Sequence, residues 1–392
     1  MDNQEKSILV IGAGNVGRGV IGGLFYKSGY KLVFYDIMAE RMKKLAEQGK
    51  YIVECVGTER TERIIVDNFE VVDCSDTKEL IDKISTMDLV ACCVYEGAFK
   101  SICDNISEAI KIRTKAGKGY LNILLCVNAL GAPAYFNEHI EENLACNNDA
   151  LTYFHNNVGI CQALVGMAAM PSSKELLEED PFGVTIRFGG YVGIDGENFK
   201  GEPPIVESVS MVEKANAQIY RKVYTGNMMH TMTAFMGKAK GYEFISDCNN
   251  DPFIQKCVTE AFYEAEEAIQ REFNFSDKER KAWIEGILGK NSTRLKDPIT
   301  RVAAKPINKL SRNNRFVGPA LMCVKYHIVP YYLARGIAYG FLYRDESDPE
   351  SVEINNYVQQ NGIDSAITKY CELKEEDWLL RGLIKKQYEE AK

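Results

Sequence analysis

The sequence predicts an α/β fold, with an N-terminal doubly wound sheet and a mostly α-helical C-terminal domain. Two patterns carry this prediction. Short apolar runs alternate with helix-like segments in roughly the first half of the 392 residues, as expected for strands and helices that form one parallel sheet. After Val206 the pattern becomes persistently helical, and glycine and proline only interrupt it.

A glycine-rich turn follows the first apolar run. Ile8–Ile11 leads directly into the motif GAGNVG at residues 12–17. In a strand–helix unit Gly12 would allow the sharp turn, Gly14 the close approach of a pyrophosphate, and Gly17 the packing of the helix on the strand. The motif in this context predicts a Rossmann-type dinucleotide-binding domain.

The same unit indicates which dinucleotide binds. Asn15 and Val16 begin the helix, whose first N–H groups can bind phosphates. Lys31–Tyr35 is the predicted second strand, and Asp36 follows it where a carboxylate can accept hydrogen bonds from ribose hydroxyls. A carboxylate would repel a 2′-phosphate, so NAD is predicted; Arg41 leaves NADP as the alternative.

Further strands are predicted along the first domain. They are Tyr51–Val56, Phe69–Val72, Leu89–Val94, Leu121–Val127, Val184–Phe188 and the glycine-rich segment Gly189–Gly196. Loops at the carboxyl ends of parallel strands border the cofactor crevice. Val94 and Asn128 are therefore predicted to face the cofactor, with Asn128 at the nicotinamide end. A turn-capping role for Asn128 is the local alternative.

The domain boundary is predicted near Phe199–Pro204, where glycine and proline interrupt the pattern. This divides the chain into a Rossmann-type domain (residues 1–202) and an all-α substrate domain (residues 203–392). Long helices are predicted over Met211–Lys238, Phe253–Phe273 and Pro319–Tyr343.

Composition argues against several classes of partner. The net charge of −8 argues against nucleic acid, and no apolar run approaches membrane-spanning length. The twelve cysteines lie scattered in apolar runs, without a CxxC pair and with only four histidines, so no metal site is predicted. Reduced thiols behind a polar N-terminus predict a cytoplasmic protein.

Three polar residues on the first predicted C-terminal helix are candidate catalytic groups. Lys222, Asn227 and His230 follow the spacing K-x-x-x-x-N-x-x-H. On an α-helix Asn227 lies about 140° and His230 about 80° from Lys222, so all three share a face. A desolvated lysine can remove a hydroxyl proton, and the other two can donate hydrogen bonds to the oxygen. The alternative is a solvated face, which the surrounding methionines disfavour.

These motifs resemble the polyol-specific long-chain dehydrogenase/reductase family, also called the mannitol dehydrogenase family, and most closely its mannitol-1-phosphate 5-dehydrogenase branch. The glycine motif extended to residue 22 (GAGNVGRGVIG), the K-x-x-x-x-N-x-x-H spacing and the segment TAFMGKAKG at 233–241 carry the likeness. Further similar segments follow in order: ILGK at 287–290, LKD at 295–297, RV at 301–302 and PINKLS at 306–311.

The resemblance implies an NAD-dependent, metal-independent interconversion of a linear polyol, or its phosphate, with the ketose. It makes Lys222 the general base and assigns Asn128, Asn227 and His230 to the reacting oxygen. It also implies a monomer, with a dimer as the alternative. Mannitol 1-phosphate and fructose 6-phosphate would be the first pair to test.

Basic residues near residue 310 are candidates for substrate binding. The resemblance places Arg301 and Lys309 at substrate-contacting positions, whereas the residues alone favour surface salt bridges. The cluster Lys305, Lys309, Arg312 and Arg315 has enough positive charge to bind a phosphate dianion, or forms a solvated helix end.

Three departures from the family pattern concern the substrate. Val127 stands where an acidic residue is usual, the segment Leu164–Met167 lacks a usual carboxylate and guanidinium, and Ala304 replaces a typical arginine. A diverged polyol substrate, or a catalytically silent NAD-binding protein, is therefore the alternative function. A 6-phosphogluconate-like dehydrogenase fits the spacing of the lysine and asparagine less well.

Overall fold

The computed structural model describes residues 6–57, 60–289 and 297–392. The chain divides into two compact units, Met1–Asn216 and Ala217–Lys392. The sequence-based boundary between residues 202 and 203 stays a prediction; the structural division falls later, because a strand at Val209–Val212 still pairs within the first unit. Lys290, Leu295 and Lys296 of the similar segments lie outside the described residues.

The strands of the described chain all belong to the first unit. They are β1 (Ser7–Ile11), β2 (Lys31–Tyr35), β3 (Tyr51–Val56), β4 (Thr61–Val66), β5 (Phe69–Val71), β6 (Leu89–Cys92), β7 (Leu121–Leu125), β8 (Val158–Val165), β9 (Ala169–Met170), β10 (Val184–Arg187), β11 (Val192–Asp195) and β12 (Val209–Val212).

Eight of these strands form one sheet in the order β12-β11-β8-β7-β6-β1-β2-β5. Every neighbouring pair in it is parallel except β8 with β11. A smaller sheet has the order β4-β3-β10-β9. Ile8 and Val10 lie in one hydrophobic cluster, whereas Leu9 and Ile11 lie in another. Both faces of the large sheet are therefore covered, as a doubly wound fold requires.

Helices connect the strands of the first unit. A π-helical segment at Asn15–Gly22 continues as α1 (Gly23–Lys27), and a short 3₁₀ turn lies at Glu96–Ala98. The others are α2 (Ala39–Gln48), α3 (Thr77–Thr86), α4 (Phe99–Ala116), α5 (Ala132–Leu144), α6 (Asn148–Asn157) and α7 (Lys174–Glu179).

The second unit is helical. A continuous helix comprises α8 (Ala215–Arg221), a π-helical segment at Lys222–Asn227 and α9 (Met228–Ala239). It is followed by α10 (Pro252–Phe273), α11 (Asp277–Leu288), α12 (Ile299–Ala303), α13 (Pro306–Leu310), α14 (Val317–Lys325), α15 (Tyr331–Leu342), α16 (Pro349–Cys371) and α17 (Trp378–Ala391), with 3₁₀ turns at Ile245–Asn250 and Glu375–Asp377.

The predicted fold class is confirmed, and several element predictions need correction. The strands at Lys31–Tyr35 and Tyr51–Val56 and the helix at Phe253–Phe273 form as predicted, the helix beginning one residue earlier. The predicted helix Met211–Lys238 is wrong at its start, because β12 occupies that stretch. The predicted helix Pro319–Tyr343 is wrong as one element, since the chain breaks between α14 and α15.

Over residues 6–57, 60–289 and 297–392, no helix combines the length and the apolar character needed to cross a membrane.

Candidate functional site

The glycine turn between β1 and the following π-helical segment is tightly constrained at two of its three glycines. Gly12 has φ +95°, and a Cβ on it would lie 2.4 Å from the Cys93 carbonyl oxygen. A Cβ on Gly17 would lie 2.0 Å from the Gly12 carbonyl oxygen. Gly14 differs, because no atom would lie within 4 Å of its Cβ. The backbone at Gly14 therefore borders open space.

Asp36 connects the end of β2 to this turn. One of its carboxylate oxygens accepts a 2.8 Å hydrogen bond from the Ala13 N–H, and the other accepts from the Met38 N–H at 3.0 Å. A carboxylate has room for further donors beyond these two. The link from Asp36 to Ala13 was not predicted from the sequence, which showed only the spacing of the two residues.

The other predicted cofactor residues of this turn lie around it. Asn15 is exposed and Val16 half-buried at the start of the helix. The side chain of Val94, just beyond β6, lies 3.0 Å from the Cβ position of Gly12. The structure thus brings the glycines, Asp36 and Val94 together; their binding of a cofactor stays a prediction.

Two guanidinium groups lie on one aromatic ring of this unit. Arg18 and Arg41 are 6.0 Å and 5.9 Å from the centre of the Phe182 ring. Burial, and then the charge of Arg41, lower the pKa of Arg18 to about 10. Because Asp36 partly offsets this shift, positive charge lies within electrostatic range of its carboxylate.

Asn128 is exposed in the loop after β7. The residues before it are held by Gln162, a fully buried side chain of β8. Its amide nitrogen donates to the carbonyl oxygens of Leu125 and Val127 at 3.0 Å and 3.1 Å. Gln162 was missed in the sequence, although a glutamine inside the apolar run ICQAL is a detectable signal. It fixes the strand end from which Asn128 projects.

In the second unit, Lys222 and Asn227 are the first and last residues of the π-helical segment. The predicted angle of 140° assumed a regular α-helix and is wrong for this segment. A π-helix bonds residue i to residue i+5, so residues five apart lie one turn apart on the same side. Lys222 and Asn227 have this spacing. Burial lowers the pKa of the Lys222 ammonium from its ordinary value, which favours a neutral amine.

His230 lies on α9, next to an aspartate that sequence reasoning left without a role. Its Nε2 is 3.3 Å from an oxygen of Asp297. Partial burial lowers the pKa of His230, and the Asp297 charge opposes that shift. A neutral ring that donates through Nε2 to Asp297 has Nδ1 free to accept a hydrogen bond from a hydroxyl.

Asp297 also binds Arg301, four residues further along the chain. The guanidinium donates to the two oxygens of Asp297 at 2.7 Å and 2.5 Å, which raises the pKa of Arg301. Asp297 therefore brings His230 and Arg301 together. Arg301, Ala304 and Lys305 also line a surface cavity of about 640 Å³. Among the residues that the structure describes, no group of three His, Cys, Asp or Glu side chains is arranged to hold a metal ion.

Lys309 and Arg315 are half-buried cations. Burial, followed by the Arg315 charge, lowers the pKa of Lys309 to about 8, and the charge of Lys305 acts in the same direction. Burial lowers the pKa of Arg315 to about 10. Arg315 donates to the Thr231 hydroxyl at 3.0 Å. The charges of Arg315 and Lys305 thus both act on Lys309.

Arg312, the fourth predicted basic residue, is engaged elsewhere. It donates to Asp377 at 2.7 Å and 3.3 Å and to the Glu372 carbonyl oxygen at 2.9 Å. Its charge is compensated within the chain, so the predicted anion cluster is reduced to Lys305, Lys309 and Arg315.

Comparison with protein-family models gives two matches that together span most of the chain. The mannitol dehydrogenase Rossmann domain matches residues 6–208, and the mannitol dehydrogenase C-terminal domain matches residues 215–386. Among curated proteins, mannitol-1-phosphate 5-dehydrogenase of Bacillus licheniformis is 32% identical over 377 residues, 96% of this chain and 98% of the relative. The protein of the same name from Thermoanaerobacter pseudethanolicus is 30% identical over 382 residues, 97% of each chain.

Two solved structures share the fold. The ternary complex of Pseudomonas fluorescens mannitol 2-dehydrogenase with NAD and D-mannitol has a TM-score of 0.76 at 16% identity, covering 99% of this chain and 92% of the other. A substrate-free D-sorbitol dehydrogenase has a TM-score of 0.72 at 14% identity, covering 99% of this chain and 93% of the other.

Proposed function

Because the chain belongs to the mannitol dehydrogenase family, we propose that it is an NAD-dependent oxidoreductase that interconverts a linear polyol, or its phosphate, with the corresponding ketose. Mannitol 1-phosphate and fructose 6-phosphate are the first pair to test, since two relatives at 30% identity or more are named mannitol-1-phosphate 5-dehydrogenases.

The glycine turn fits a dinucleotide. The open side of Gly14 has room for a pyrophosphate against the backbone. Asp36 keeps acceptor capacity for ribose hydroxyls after its bonds to Ala13 and Met38. When bound, NAD supplies the acceptor for a hydride from the alcohol carbon. NADP stays the alternative cofactor, because Arg18 lies within electrostatic range of Asp36 and Arg41 lies over the same Phe182 ring as Arg18.

Lys222 is the proposed general base, and its burial in the π-helical segment carries the proposal. Its lowered pKa increases the fraction of neutral amine near neutral pH. As the C–H bond breaks, the lysine Nζ takes the hydroxyl proton and the C–O bond becomes a carbonyl. The reverse reaction returns the same proton to the ketose oxygen.

The polar residues around Lys222 have complementary roles in the proposal. The amide of Asn227 is proposed to donate a hydrogen bond to the reacting oxygen. The same role for Asn128 rests on the family resemblance. His230, with Nε2 on Asp297, accepts a substrate hydroxyl through Nδ1 when its ring is neutral. Donation to the oxygen, the role that the resemblance implies, needs the protonated ring or the other tautomer.

A phosphate on the substrate would bind Lys305, Lys309 and Arg315. Burying cations is costly unless an anion compensates them. A dianion would form charge-assisted hydrogen bonds with this cluster. Arg301 is proposed to contact substrate hydroxyls from its position on Asp297.

The test follows NADH oxidation by the purified protein with fructose 6-phosphate and with fructose in parallel. Lys222→Met is the inactive variant expected under the proposal, and Lys256→Met, an exposed lysine of α10, is the matched control. NADH binding is measured by fluorescence for each protein. The expected result is turnover of fructose 6-phosphate that Lys222→Met loses while still binding NADH.

Three other outcomes of this test would each contradict one part of the proposal: the phosphate on the substrate, the general base or the enzymatic activity itself. Turnover of fructose alone would remove the phosphate from the substrate. Activity of Lys222→Met near that of the wild type would refute the assigned base. NADH binding without turnover of any polyol or ketose in a broader panel would favour a silent NAD-binding protein.

A further inference from the structure

The π-helical segment that carries Lys222 is tied to α11 through one threonine. The Thr225 hydroxyl donates a 2.6 Å hydrogen bond to the Arg221 carbonyl oxygen. In an α-helix that oxygen would accept from the Thr225 backbone N–H, four residues on. The same kind of bond to the carbonyl four residues back occurs in α4 at Thr114 and in α9 at Thr233, so it anchors the hydroxyl to its own turn without deciding the helical register. The Met228 N–H bonds the Val223 carbonyl oxygen, five residues back, as a π-helix requires.

Trp283 of α11 holds that hydroxyl from the other side. Its indole Nε1 donates to Thr225 Oγ1 at 3.2 Å. Since a hydroxyl has one hydrogen, acceptance from Trp283 directs the Thr225 hydrogen toward Arg221. The two bonds form a chain from α11 to the backbone that precedes Lys222.

The residue before Lys222 is also fixed. The guanidinium of Arg221 forms a buried ion pair with Glu266 of α10. It lies 5.1 Å from the Trp283 ring centre and 4.4 Å from that of Phe275. Trp283 therefore contacts this turn twice, through its ring and through its N–H.

We propose that Trp283 and Thr225 are positioning residues: their hydrogen bond ties the π-helical turn that carries Lys222 and Asn227 to α11. If this turn lost its tie to α11, the Lys222 ammonium and the Asn227 amide would no longer be held in fixed positions. A small displacement of either group from the reacting oxygen lowers the rate of proton transfer. This inference rests on the proposed function for the roles of Lys222 and Asn227.

Substitutions separate the hydrogen bond from packing. Thr225→Val keeps the shape of the side chain without its hydroxyl, whereas Thr225→Ser keeps the hydroxyl. Trp283→Phe keeps an aromatic ring over Arg221 and removes the N–H. Thr225→Val and Trp283→Phe are expected to lower kcat about tenfold or more. The KM for the ketose and the Kd for NADH should stay within about twofold, and Thr225→Ser should retain most of kcat.

A readout independent of activity comes from fluorescence. The chain has two tryptophans, and Trp378 is largely exposed, so Trp378→Phe leaves Trp283 as the single indole. In that background Thr225→Val should shift the Trp283 emission, and Thr225→Ser should not.

Unchanged emission in Thr225→Val would show that the contact is absent and overturn the proposal. Unchanged kcat in both Thr225→Val and Trp283→Phe, with Lys222→Met inactive, would overturn the positioning role alone. Parallel loss of kcat, NADH binding and thermal stability, without recovery in Thr225→Ser, would show a merely structural role. Activity in Lys222→Met would instead refute the proposed base and the positioning role together.

Discussion

Replacing Lys309 with methionine should weaken binding of a phosphorylated substrate and leave a non-phosphorylated one largely unaffected. Lys309 is half-buried near Arg315 and Lys305. Burial and the Arg315 charge lower its pKa to about 8, and the charges of Glu350 and Asp348 oppose that shift. At pH 7 the ammonium is still mostly protonated. A phosphate ester is by then mostly a dianion, with a second pKa near 6. The charges needed for binding therefore coexist between about pH 7 and 8.

The size of the effect follows from the charge on both partners. A hydrogen bond to a charged group contributes about 1.5–3 kcal/mol, which corresponds to a 10- to 150-fold rise in Kd at about 1.4 kcal/mol per tenfold. The direction in which the affinity changes with pH also follows from the lowered pKa. Raising the pH through 8 removes the Lys309 proton, so the affinity for the phosphate should fall with pH until the pKa in the complex is reached.

The assay is the KM for fructose 6-phosphate and for fructose from pH 6.5 to 9.5, in the wild type and in Lys309→Met. We expect the phosphate-specific rise of KM above about pH 8 in the wild type only. Lys309→Met should show a uniformly high KM for fructose 6-phosphate and an unchanged KM for fructose. An equal rise for both sugars, or an unchanged KM for the phosphate, would refute Lys309 as a phosphate ligand.

Three further predictions concern the two units separately. Glu264 accepts the N–H groups of Tyr332 and Leu333 at 2.9 Å, and burial raises its pKa from 4.5 to about 7. The folded state binds the Glu264 proton more tightly than the unfolded state does. The free energy of unfolding should therefore fall by up to about 3 kcal/mol as the pH rises from 4.5 through 7. In urea titrations over this pH range, Glu264→Gln should show a smaller pH dependence. Asp36→Ala should weaken NADH binding about tenfold in fluorescence titrations, because it removes the acceptor for the ribose hydroxyls. NADPH binding should weaken less, because the substitution also removes the repulsion of the 2′-phosphate. Equal losses for the two cofactors would contradict the role assigned to Asp36. The Arg113 guanidinium donates hydrogen bonds to four carbonyl oxygens. Arg113→Met should therefore lower the free energy of unfolding by about 3 kcal/mol or more. A loss below about 1 kcal/mol would contradict this structural role.

Local sequence patterns predicted the strands of the first unit well where the residues on either side of a strand mark its ends. Lys31–Tyr35 is an apolar run between a glycine-containing turn and Asp36, and its bounds are confirmed. The predicted helix Met211–Lys238 includes the second half of the strand Val209–Val212; a run of four residues fits either a helix or a strand period. The strand conformation of Val209–Val212 depends on pairing with Val192–Asp195, a contact that local sequence cannot show.

The error at Pro319–Tyr343 had a readable signal. Pro330 disfavours a helix at the residue before it, and His327 has φ +60° in the break between α14 and α15. The π-helical segment at Lys222–Asn227 had none. The Trp283 indole of α11 donates to the Thr225 hydroxyl within this segment, and such contacts between helices leave no periodic trace in the sequence.

The departures from the family pattern acquire a different meaning in the structure. Val127, Leu164 and Met167 are each less than a tenth exposed, and Val127 and Met167 belong to the hydrophobic clusters of the first unit. Leu164 also pairs with Gly193 across β8 and β11. A carboxylate at such a position would need a buried partner to offset its desolvation. These buried positions therefore offer a substrate no polar side chain, and the substrate hydroxyls and phosphate are proposed to bind polar groups of the second unit.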